Sequence, residues 1–342
     1  MLFSLYPTDS AEVRTSVLDA ARLSSERTLF TSLHIPEADG LRTFVDELRT
    51  LHEADGFTFC ADISPLTLDR LGLGIEEVGR LREAGVRWVR IDFGFDAIQI
   101  RRIADTSGLT IAVNASTADA TLLDSLAGLE VAGWHNFYPR PETGLTTDFF
   151  RAQNALFGER GLGLFAFIPG ELTFRAPLHL GLPTLEGQRH RNGWINYLQI
   201  ASLCPRAKIV VAEGTIHPRH LEWIDHYEHT GEITVPLSEA EDAASFLLDG
   251  TWGVRVEQTD FSERLENTRG APTPSSWINA DVRARGSLQM DLPALGRYAG
   301  EVHVIIRDLP LHPHQARIGQ IASPYMALVD HVRLTRRVRF IT

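Results

Sequence analysis

Short apolar runs alternate with amphipathic stretches over the first two thirds of the chain. Each run is rich in β-branched or aromatic residues and ends in polar ones, which is typical of buried strands. The stretches between the runs, such as Ala11–Leu23 and Leu41–Leu51, carry apolar residues at helical spacing. The eight predicted strands are Leu2–Tyr6, Thr28–Leu33, Thr58–Ile63, Trp88–Phe93, Leu109–Asn114, Ala132–Tyr138, Leu162–Ile168 and Lys208–Ala212.

The regular alternation of strand and helix predicts a parallel sheet. Eight strand–helix units within roughly 230 residues favour a (β/α)8 TIM-type barrel of the α/β class over an open doubly wound sheet. No Gly-x-Gly-x-x-Gly motif follows any of these strands. A dinucleotide-binding fold therefore lacks its main support in the sequence.

The pattern changes after Gly231. Gly231–Gly250 is a mixed acidic stretch, and short strands separated by turns rich in Pro and Gly dominate from Trp252 onward. We therefore predict a barrel domain over residues 1–232 and a small β domain over residues 233–342. The strands predicted in the second domain are Gly253–Glu257, Ser287–Met290, Gly300–Ile306, Arg317–Ile321 and Arg337–Ile341.

Composition narrows the class of function. Hydrophobic residues make up 44% of the 342 residues, which is ordinary for a globular protein. The formal net charge of -11 argues against a nucleic-acid partner, and an anionic substrate would have to be met by arginines concentrated in loops. Cys60 and Cys204 lie in apolar surroundings, and we interpret them as packing residues.

The sequence contains no basic leader and no long apolar stretch, so we expect a cytoplasmic enzyme without a membrane partner. We expect no cofactor and no metal, because the two cysteines form no zinc pattern and no His-Glu-x-x-His motif occurs. The small domain either closes the barrel mouth or stabilises a homodimer.

The active site of such a barrel forms at the carboxyl ends of its strands, and the loops that follow complete it. The predicted strand ends are unusually polar, with carboxyl, amide, imidazole and guanidinium groups directed toward one mouth. The candidate residues at or just beyond the strand ends are Tyr6, Ser32, Asp62, Arg90, Asp92, Asn114, His135, Asn136, Tyr138, Arg140, Arg175 and Glu213.

Asp62 and Asp92 are the first candidate carboxyl groups. Asp62 could cap the next helix, but Ser64, which directly precedes a proline, is the better N-cap and leaves Asp62 for the site. Arg90 and Asp92 share a strand face by the two-residue period. Asp92 therefore has either a chemical role or a place in a buried ion pair inside the barrel.

The stretch from Trp134 to Pro141 is the most distinctive in the chain. It combines His135 and Asn136 with Tyr138 and Arg140, and aromatic side chains beside polar ones suit a sugar. A satisfied core histidine is the alternative for His135. Asn114 could bind a sugar hydroxyl or acetamido group, or it could orient an aspartate.

A long irregular loop, residues 174–191, follows the seventh predicted strand and supplies Arg175, Arg189 and Arg191 around Glu186. Long loops in compact folds are usually functional, and arginine forks suit phosphate or carboxylate groups. A solvated basic loop is the alternative.

Glycoside hydrolysis commonly needs two carboxyl groups. The sequence offers four such groups without fixing which two act, and they are Asp62, Asp92, Glu186 and Glu213.

These motifs together resemble those of the 6-phospho-N-acetylmuramidase (MupG-like) family. The matching blocks are Ser4–Pro7, Phe30–Leu33, Asp62–Pro65, Arg90–Phe95, Asn114–Ser116, His135–Leu145 and Gly181–Glu186, with weaker matches at Gly286–Leu288 and Arg297–Glu301. The resemblance implies a TIM-type barrel with a cyclophilin-like C-terminal domain. It also implies hydrolysis of a 6-phosphorylated N-acetylmuramyl–N-acetylglucosamine disaccharide in peptidoglycan recycling.

By this resemblance Asp62, Asp92 and Glu186 are the candidate catalytic carboxyl groups, and Arg140, Arg175 and Arg189 are candidate anion ligands. The chain departs from the family pattern in three places: Ala176 stands where the family has Gly, Gln188 replaces a His, and Glu213 replaces an Asp. These departures leave two alternatives open. One is a non-catalytic binder of phosphosugar or peptidoglycan fragments, and the other is a glycosidase for a different substrate. A metal-dependent barrel enzyme using His135 with Asp62 and Asp92 is a third alternative.

Overall fold

A closed barrel of eight parallel strands forms the first part of the chain, as the sequence predicts. The computed structural model describes residues 1–35, 40–91, 93–248, 250–275, 277 and 281–342, without the side chains of residues 334 and 335. The strands pair in chain order, and β1 closes the barrel by pairing with both β2 and β8. The strands are β1 Leu2–Ser4, β2 Thr28–Ser32, β3 Thr58–Ile63, β4 Val86–Ile91, β5 Thr110–Asn114, β6 Val131–Trp134, β7 Gly163–Ile168 and β8 Ala207–Val211.

A helix follows each strand of the barrel in the chain, and a long 3₁₀ segment, Ile75–Ala84, is inserted before β4. Local sequence sets several of the helix ends: Ser64 caps α3 by accepting from the Thr67 amide with Pro65 in the first turn, as predicted. The helices are α1 Ala11–Leu23, α2 Leu41–Asp55, α3 Pro65–Leu71, α4 Ala97–Ser107, α5 Ala120–Ser125, α6 Thr147–Gly158, α7 Gly193–Leu203 and α8 Pro218–Thr230.

Aromatic side chains fill the barrel interior. Trp134 stacks on Phe165 with ring centroids 3.9 Å apart, and Phe30 meets Phe167 edge to face at 4.9 Å. Cys60 is buried among them as a packing residue. The barrel interior is therefore a packed core.

The chain forms two compact units, Met1–His217 and Pro218–Thr342. α8 groups with the second unit, where it contacts β9, whereas the sequence prediction assigns residues up to 232 to the barrel. Among the described residues, no helix has both the length and the apolar character needed to cross a bilayer.

The second unit is rich in β structure. A seven-stranded sheet runs in the order β10-β17-β9-β16-β13-β14-β11, antiparallel except for the β17–β9 pair, and β12 pairs with β15 separately. The elements are β9 Ile233–Ala240, α9 Ser245–Leu248, β10 Thr251–Gly253, β11 Ser262–Arg264, β12 Val282–Arg283, β13 Ser287–Asp291, β14 Val302–Ile305, β15 Leu309–Pro310, β16 Gln315–Ile321, α10 Leu328–Thr335 and β17 Arg337–Ile341.

One predicted strand of this unit is wrong, and an observed strand, β9, was not predicted. The predicted strand Gly253–Glu257 is instead the short β10, Thr251–Gly253, and beyond it Val254 makes only an isolated bridge to Leu265. The acidic stretch after Gly231 contains β9, which lies between β17 and β16 in the sheet. Pro236 interrupts its apolar run, and proline within a strand pattern argues against a central strand.

Candidate active site

Asp62 and Arg90 form a buried ion pair at the mouth, the end of the barrel where the strands finish. The two residues are paired across β3 and β4, and Arg90 Nη1 donates to Asp62 Oδ1 at 2.8 Å. Only 8% of the Asp62 side chain and 1% of the Arg90 side chain are exposed. Arg90 also donates to the Trp134 carbonyl and to Asn136 Oδ1, both at 3.4 Å. This network holds a carboxylate and an amide on the inner wall of the barrel.

Two other predicted residues lie beside this network. Asn114 ends β5 and is 8% exposed, and its Oδ1 accepts from the Ser116 amide at 3.0 Å. Ser32 ends β2 beside Asp62, is 7% exposed, and its hydroxyl accepts weakly from the His34 amide at 3.4 Å. Asp92, the second predicted catalytic aspartate, lies outside the described residues.

Tyr6, Asp9, Arg175 and Glu213 form a second polar group, just beyond β1 and β8. The Arg175 guanidinium lies over the Tyr6 ring at 4.1 Å, and the Arg175 amide donates to Glu213 Oε2 at 2.5 Å. Asp9 Oδ2 accepts from the Tyr6 amide at 2.7 Å, and the Tyr6 hydroxyl donates to the Ala212 carbonyl at 2.7 Å. Arg175 Nε and Glu213 Oε1 are both buried without a hydrogen-bond partner among the described residues.

Burial changes the acidity of both carboxyl groups in this second group. It raises the pKa of Glu213 to about 7, although the Arg175 and Leu182 amides and the Arg175 charge act in the opposite direction. It raises the pKa of Asp9 to about 6, again against the Tyr6 amide and the Arg175 charge. Near neutral pH the mouth therefore offers carboxyl groups that can hold and release a proton.

Asp9 is missing from the residues that the sequence points to. It lies three residues beyond Tyr6, in the loop between β1 and α1. The prediction covered mainly the last one or two residues of each predicted strand. An aspartate in a strand–helix loop at the carboxyl end of a barrel strand is the signal that would have found it.

Glu186 and Arg189 hold two loops together. Arg189 Nε and Nη2 donate to the two Glu186 carboxylate oxygens at 2.6 and 2.7 Å, and Glu186 Oε2 also accepts from the Gly144 amide at 2.8 Å. The remaining Arg189 donors reach the Gly181 carbonyl at 2.8 Å and the Tyr138 carbonyl at 2.9 Å. We call this pair and its contacts the loop clip.

The contacts of the loop clip limit the roles that Arg189 and Glu186 can have in the site. Arg189 uses all three side-chain nitrogens inside the protein and is 4% exposed, so it is not placed to receive an anion. Its guanidinium holds the pKa of Glu186 at about 2, which keeps that carboxyl ionised and unsuited to donate a proton. A catalytic role for Glu186 as a carboxylate stays a prediction.

His135 faces away from the barrel interior. Its ring packs against Phe150 of α6, Nε2 lies 2.8 Å from Asn154 Oδ1, and Nδ1 lies 3.2 Å from Ser116 Oγ. Burial lowers its pKa to about 4, so the ring is neutral. The structure thus places His135 outside the candidate site. It also removes support from the metal site of His135 with Asp62 and Asp92. Trp134 fills the barrel interior, so His135, the next residue, faces away from it.

The remaining predicted residues are spread along the loops. Tyr138 is half-buried and its amide donates to the Pro183 carbonyl at 3.0 Å, whereas Arg140 is exposed. Gln188, one of the departures from the family pattern, is buried against α7, where its amide donates to the Asn196 carbonyl at 3.1 Å. Ala176 precedes Pro177 in a cis peptide next to Arg175.

Comparison with known proteins agrees with this architecture. Two solved structures match the whole chain: a conserved protein of unknown function from Enterococcus faecalis, with 27% identity and a TM-score of 0.83 over 96% of its length, and an uncharacterized B. cereus protein, with 21% identity and a TM-score of 0.80 over 99% of its length. The second likeness shows the fold alone. No curated protein matches the chain.

Two family models cover nearly all of the sequence. The model described as 6-phospho-N-acetylmuramidase, N-terminal, matches residues 3–226, and the model described as 6-phospho-N-acetylmuramidase, C-terminal, matches residues 232–341. The chain therefore belongs to the 6-phospho-N-acetylmuramidase family, a family of glycosidases.

Proposed function

We propose that the chain hydrolyses the glycosidic bond of 6-phospho-N-acetylmuramyl–N-acetylglucosamine in peptidoglycan recycling. The observation that carries the proposal is a pair of carboxyl groups in opposite environments at one end of the barrel. Glu213 is buried with its pKa raised to about 7, and Asp62 is paired with the Arg90 guanidinium. Glycosidases use such a pair, one carboxyl group to protonate the leaving oxygen and one to act as base or nucleophile.

In this proposal Glu213 donates the proton to the leaving sugar. A group that titrates near neutral pH can hold the proton before the reaction and release it during bond cleavage. Asp62 or Asp92 supplies the carboxylate on the other side of the bond. Asp92 is assigned from the sequence, in which it shares a strand face with Arg90.

Arg175 is the proposed ligand of the substrate phosphate. Its Nε has no partner among the described residues, and its guanidinium is held over the Tyr6 ring, so one edge of the fork is oriented before an anion arrives. A guanidinium binds phosphate through paired hydrogen bonds. Arg140, which is exposed on the loop that the clip holds, is a second proposed phosphate ligand.

The test is to incubate the purified chain with the phosphorylated disaccharide and to quantify released N-acetylglucosamine, with the same disaccharide lacking the phosphate for comparison. We expect release from the phosphorylated substrate, with kcat/KM falling as pH rises above about 7 because Glu213 loses its proton. Binding of the disaccharide in a calorimeter without any release would refute the hydrolase and favour a non-catalytic binder.

Variants then separate the roles. Asp62→Asn, Asp92→Asn and Glu213→Gln should each lower kcat by about a hundredfold or more in a folded protein. Arg175→Met should raise KM for the phosphorylated substrate about tenfold and leave the unphosphorylated one unaffected. Arg191→Met, which changes an exposed arginine of the same loop, is the matched control. A KM that rises equally for both substrates would exclude Arg175 as the phosphate ligand.

Two further expectations from the sequence stay predictions. Cell fractionation tests the cytoplasmic location, and light scattering of the purified chain tests the homodimer.

A further inference from the structure

The second unit contains a cluster of metal-binding side chains far along the chain from the candidate active site. Asp291 ends β13, and its amide donates to the carbonyl of Glu301 on the neighbouring chain segment at 2.9 Å. His303 follows Glu301 by two residues on β14 and so shares its face of the sheet. One side-chain ligand atom from each of the three residues lies within 4.8 Å of the others.

Asp291 and Glu301 are buried, and His303 is partly exposed. The exposed fractions of the side chains are 6% for Asp291, 3% for Glu301 and 13% for His303. Buried ionisable groups are normally paired, hydrogen-bonded or bound to a metal. Protein contacts satisfy only part of this cluster, because His303 Nε2 is buried and has no hydrogen-bond partner among the described residues.

The distance between His303 Nε2 and Asp291 Oδ2 points to a shared third atom. The two atoms lie 3.4 Å apart, and His303 Nε2 makes no hydrogen bond to this oxygen. Two ligands that each lie about 2.1 Å from a tetrahedral metal ion are about 3.4 Å apart. The imidazole and carboxylate thus have the separation of neighbours in a coordination shell.

Each of the three side chains also contacts a neighbouring polar side chain that can fix its orientation. The Gln315 amide donates to the other Asp291 oxygen, Oδ1, at 2.6 Å, and Ser262 Oγ lies 3.5 Å from His303 Nδ1. Arg269 contacts both Glu301 oxygens at 3.1 and 3.2 Å, and Arg255 Nε lies 3.7 Å from Oε1, so the carboxylate keeps further lone pairs. Such outer contacts, which fix a ligand's rotamer and tautomer, are typical of metal sites.

We propose that Asp291 Oδ2, His303 Nε2 and one Glu301 oxygen bind a first-row divalent metal ion such as Zn²⁺ or Mn²⁺. The imidazole nitrogen favours Zn²⁺ over Ca²⁺ and Mg²⁺, which prefer all-oxygen sites, and the two carboxylates suit Mn²⁺. With three protein ligands, at least one coordination position is left for water or a ligand. This site is independent of the proposed glycosidase chemistry.

The test uses the full chain without a polyhistidine tag. After treatment with a chelator and dialysis, Zn²⁺ and Mn²⁺ are titrated separately by calorimetry, and bound metal is measured by mass spectrometry. We expect about one equivalent of metal and a rise in Tm upon binding. His303→Gln and Asp291→Asn should each weaken binding tenfold or more, as even outer contacts of metal sites commonly do.

His314→Gln, which changes an exposed histidine of the same unit, is the matched control and should bind as the unaltered chain does. Circular dichroism shows whether each variant is folded, and Asp291→Asn keeps the shape of the side chain if His303→Gln does not fold. The proposal is overturned if neither ion binds the folded chain, or if the Asp291 and His303 variants bind as tightly as the control. Sugar release is not a readout here, so failure of the metal site leaves the proposed hydrolase untouched.

Discussion

Replacing Glu213 by glutamine removes a buried acid while keeping the shape of the side chain. The carbonyl of the new amide can still accept from the Arg175 amide, as Glu213 Oε2 does at 2.5 Å. The oxygen that lacks a partner in the folded chain, Oε1, is replaced by a neutral NH₂ group. The variant therefore isolates the consequence of holding a charge at a position that is 1% exposed.

The size of this effect on the free energy of unfolding follows from the pKa of Glu213 in the unfolded chain and in the folded chain. Glu213 titrates at its ordinary pKa of 4.5 in the unfolded chain and at about 7 in the folded chain. Because the folded-state value is raised, the destabilisation is small at low pH, grows as pH rises from 4.5, and levels off above about 7. Between pH 5 and pH 8 this group lowers the free energy of unfolding by about 2.5 kcal/mol, and the glutamine variant lacks that loss.

Urea unfolding at pH 5, 6, 7 and 8 measures this difference. We expect the stability of Glu213→Gln relative to the unaltered chain to increase by about 2.5 kcal/mol across the series. Asp9 also has a raised pKa, but it is present in both proteins and cancels in the comparison. Glu130→Gln, at an exposed position before β6, is the matched control for replacing a glutamate by glutamine. A constant difference for Glu213→Gln would refute the argument that burial controls this carboxyl group.

Three further substitutions test other parts of the barrel. Asp62→Ala leaves the Arg90 charge buried and should reduce the free energy of urea unfolding by about 3 kcal/mol. Asp19→Ala, which removes an exposed partner of Arg22, should change it by less than about 1 kcal/mol. Equal effects of the two substitutions would contradict the importance of the buried pair. The unaltered chain should lose about 3 kcal/mol of its free energy of unfolding as pH falls from 6.5 to 4, because the lowered pKa of His135 makes protonation of the folded chain unfavourable. His135→Gln should abolish that loss. If the free energies of unfolding of the two proteins change in parallel with pH, this explanation is excluded. Gly144→Ala places a Cβ 2.7 Å from the Glu186 amide nitrogen and should lower Tm through a cost of about 1–3 kcal/mol, while Gly187→Ala, whose Cβ meets nothing within 4 Å, should change Tm little.

The barrel was predictable because its strands are continuous apolar runs separated by helices of amphipathic pattern. Neither cue exists for β9, Ile233–Ala240, in which Pro236 and an acidic end conceal a strand between two others in the sheet. The position of β9 in the sheet depends on its pairing with β16 and β17, which lie about eighty or more residues further along the chain. The local sequence pattern does not indicate such distant partners.

The sequence predicted which residue types lie in the candidate site better than it predicted which of them contact each other. The Asp62–Arg90 pair depends on the register between β3 and β4, which the sequence does not specify. The placement of His135 could have been inferred, because Trp134 occupies the core and the next strand residue must face the other way. The three-residue spacing of Glu186 and Arg189 likewise allowed an ion pair to be predicted.

The closure of the barrel by β1 has a consequence for synthesis of the chain. The three residues Leu2–Ser4 pair with Val210 and Val211 of β8, so the first strand meets its second neighbour only when some two hundred more residues have been made. Contacts of such long sequence separation form late and slow the folding of the whole domain. Until then one edge of β1 stays unpaired on the nascent chain, where it is open to association with other strands.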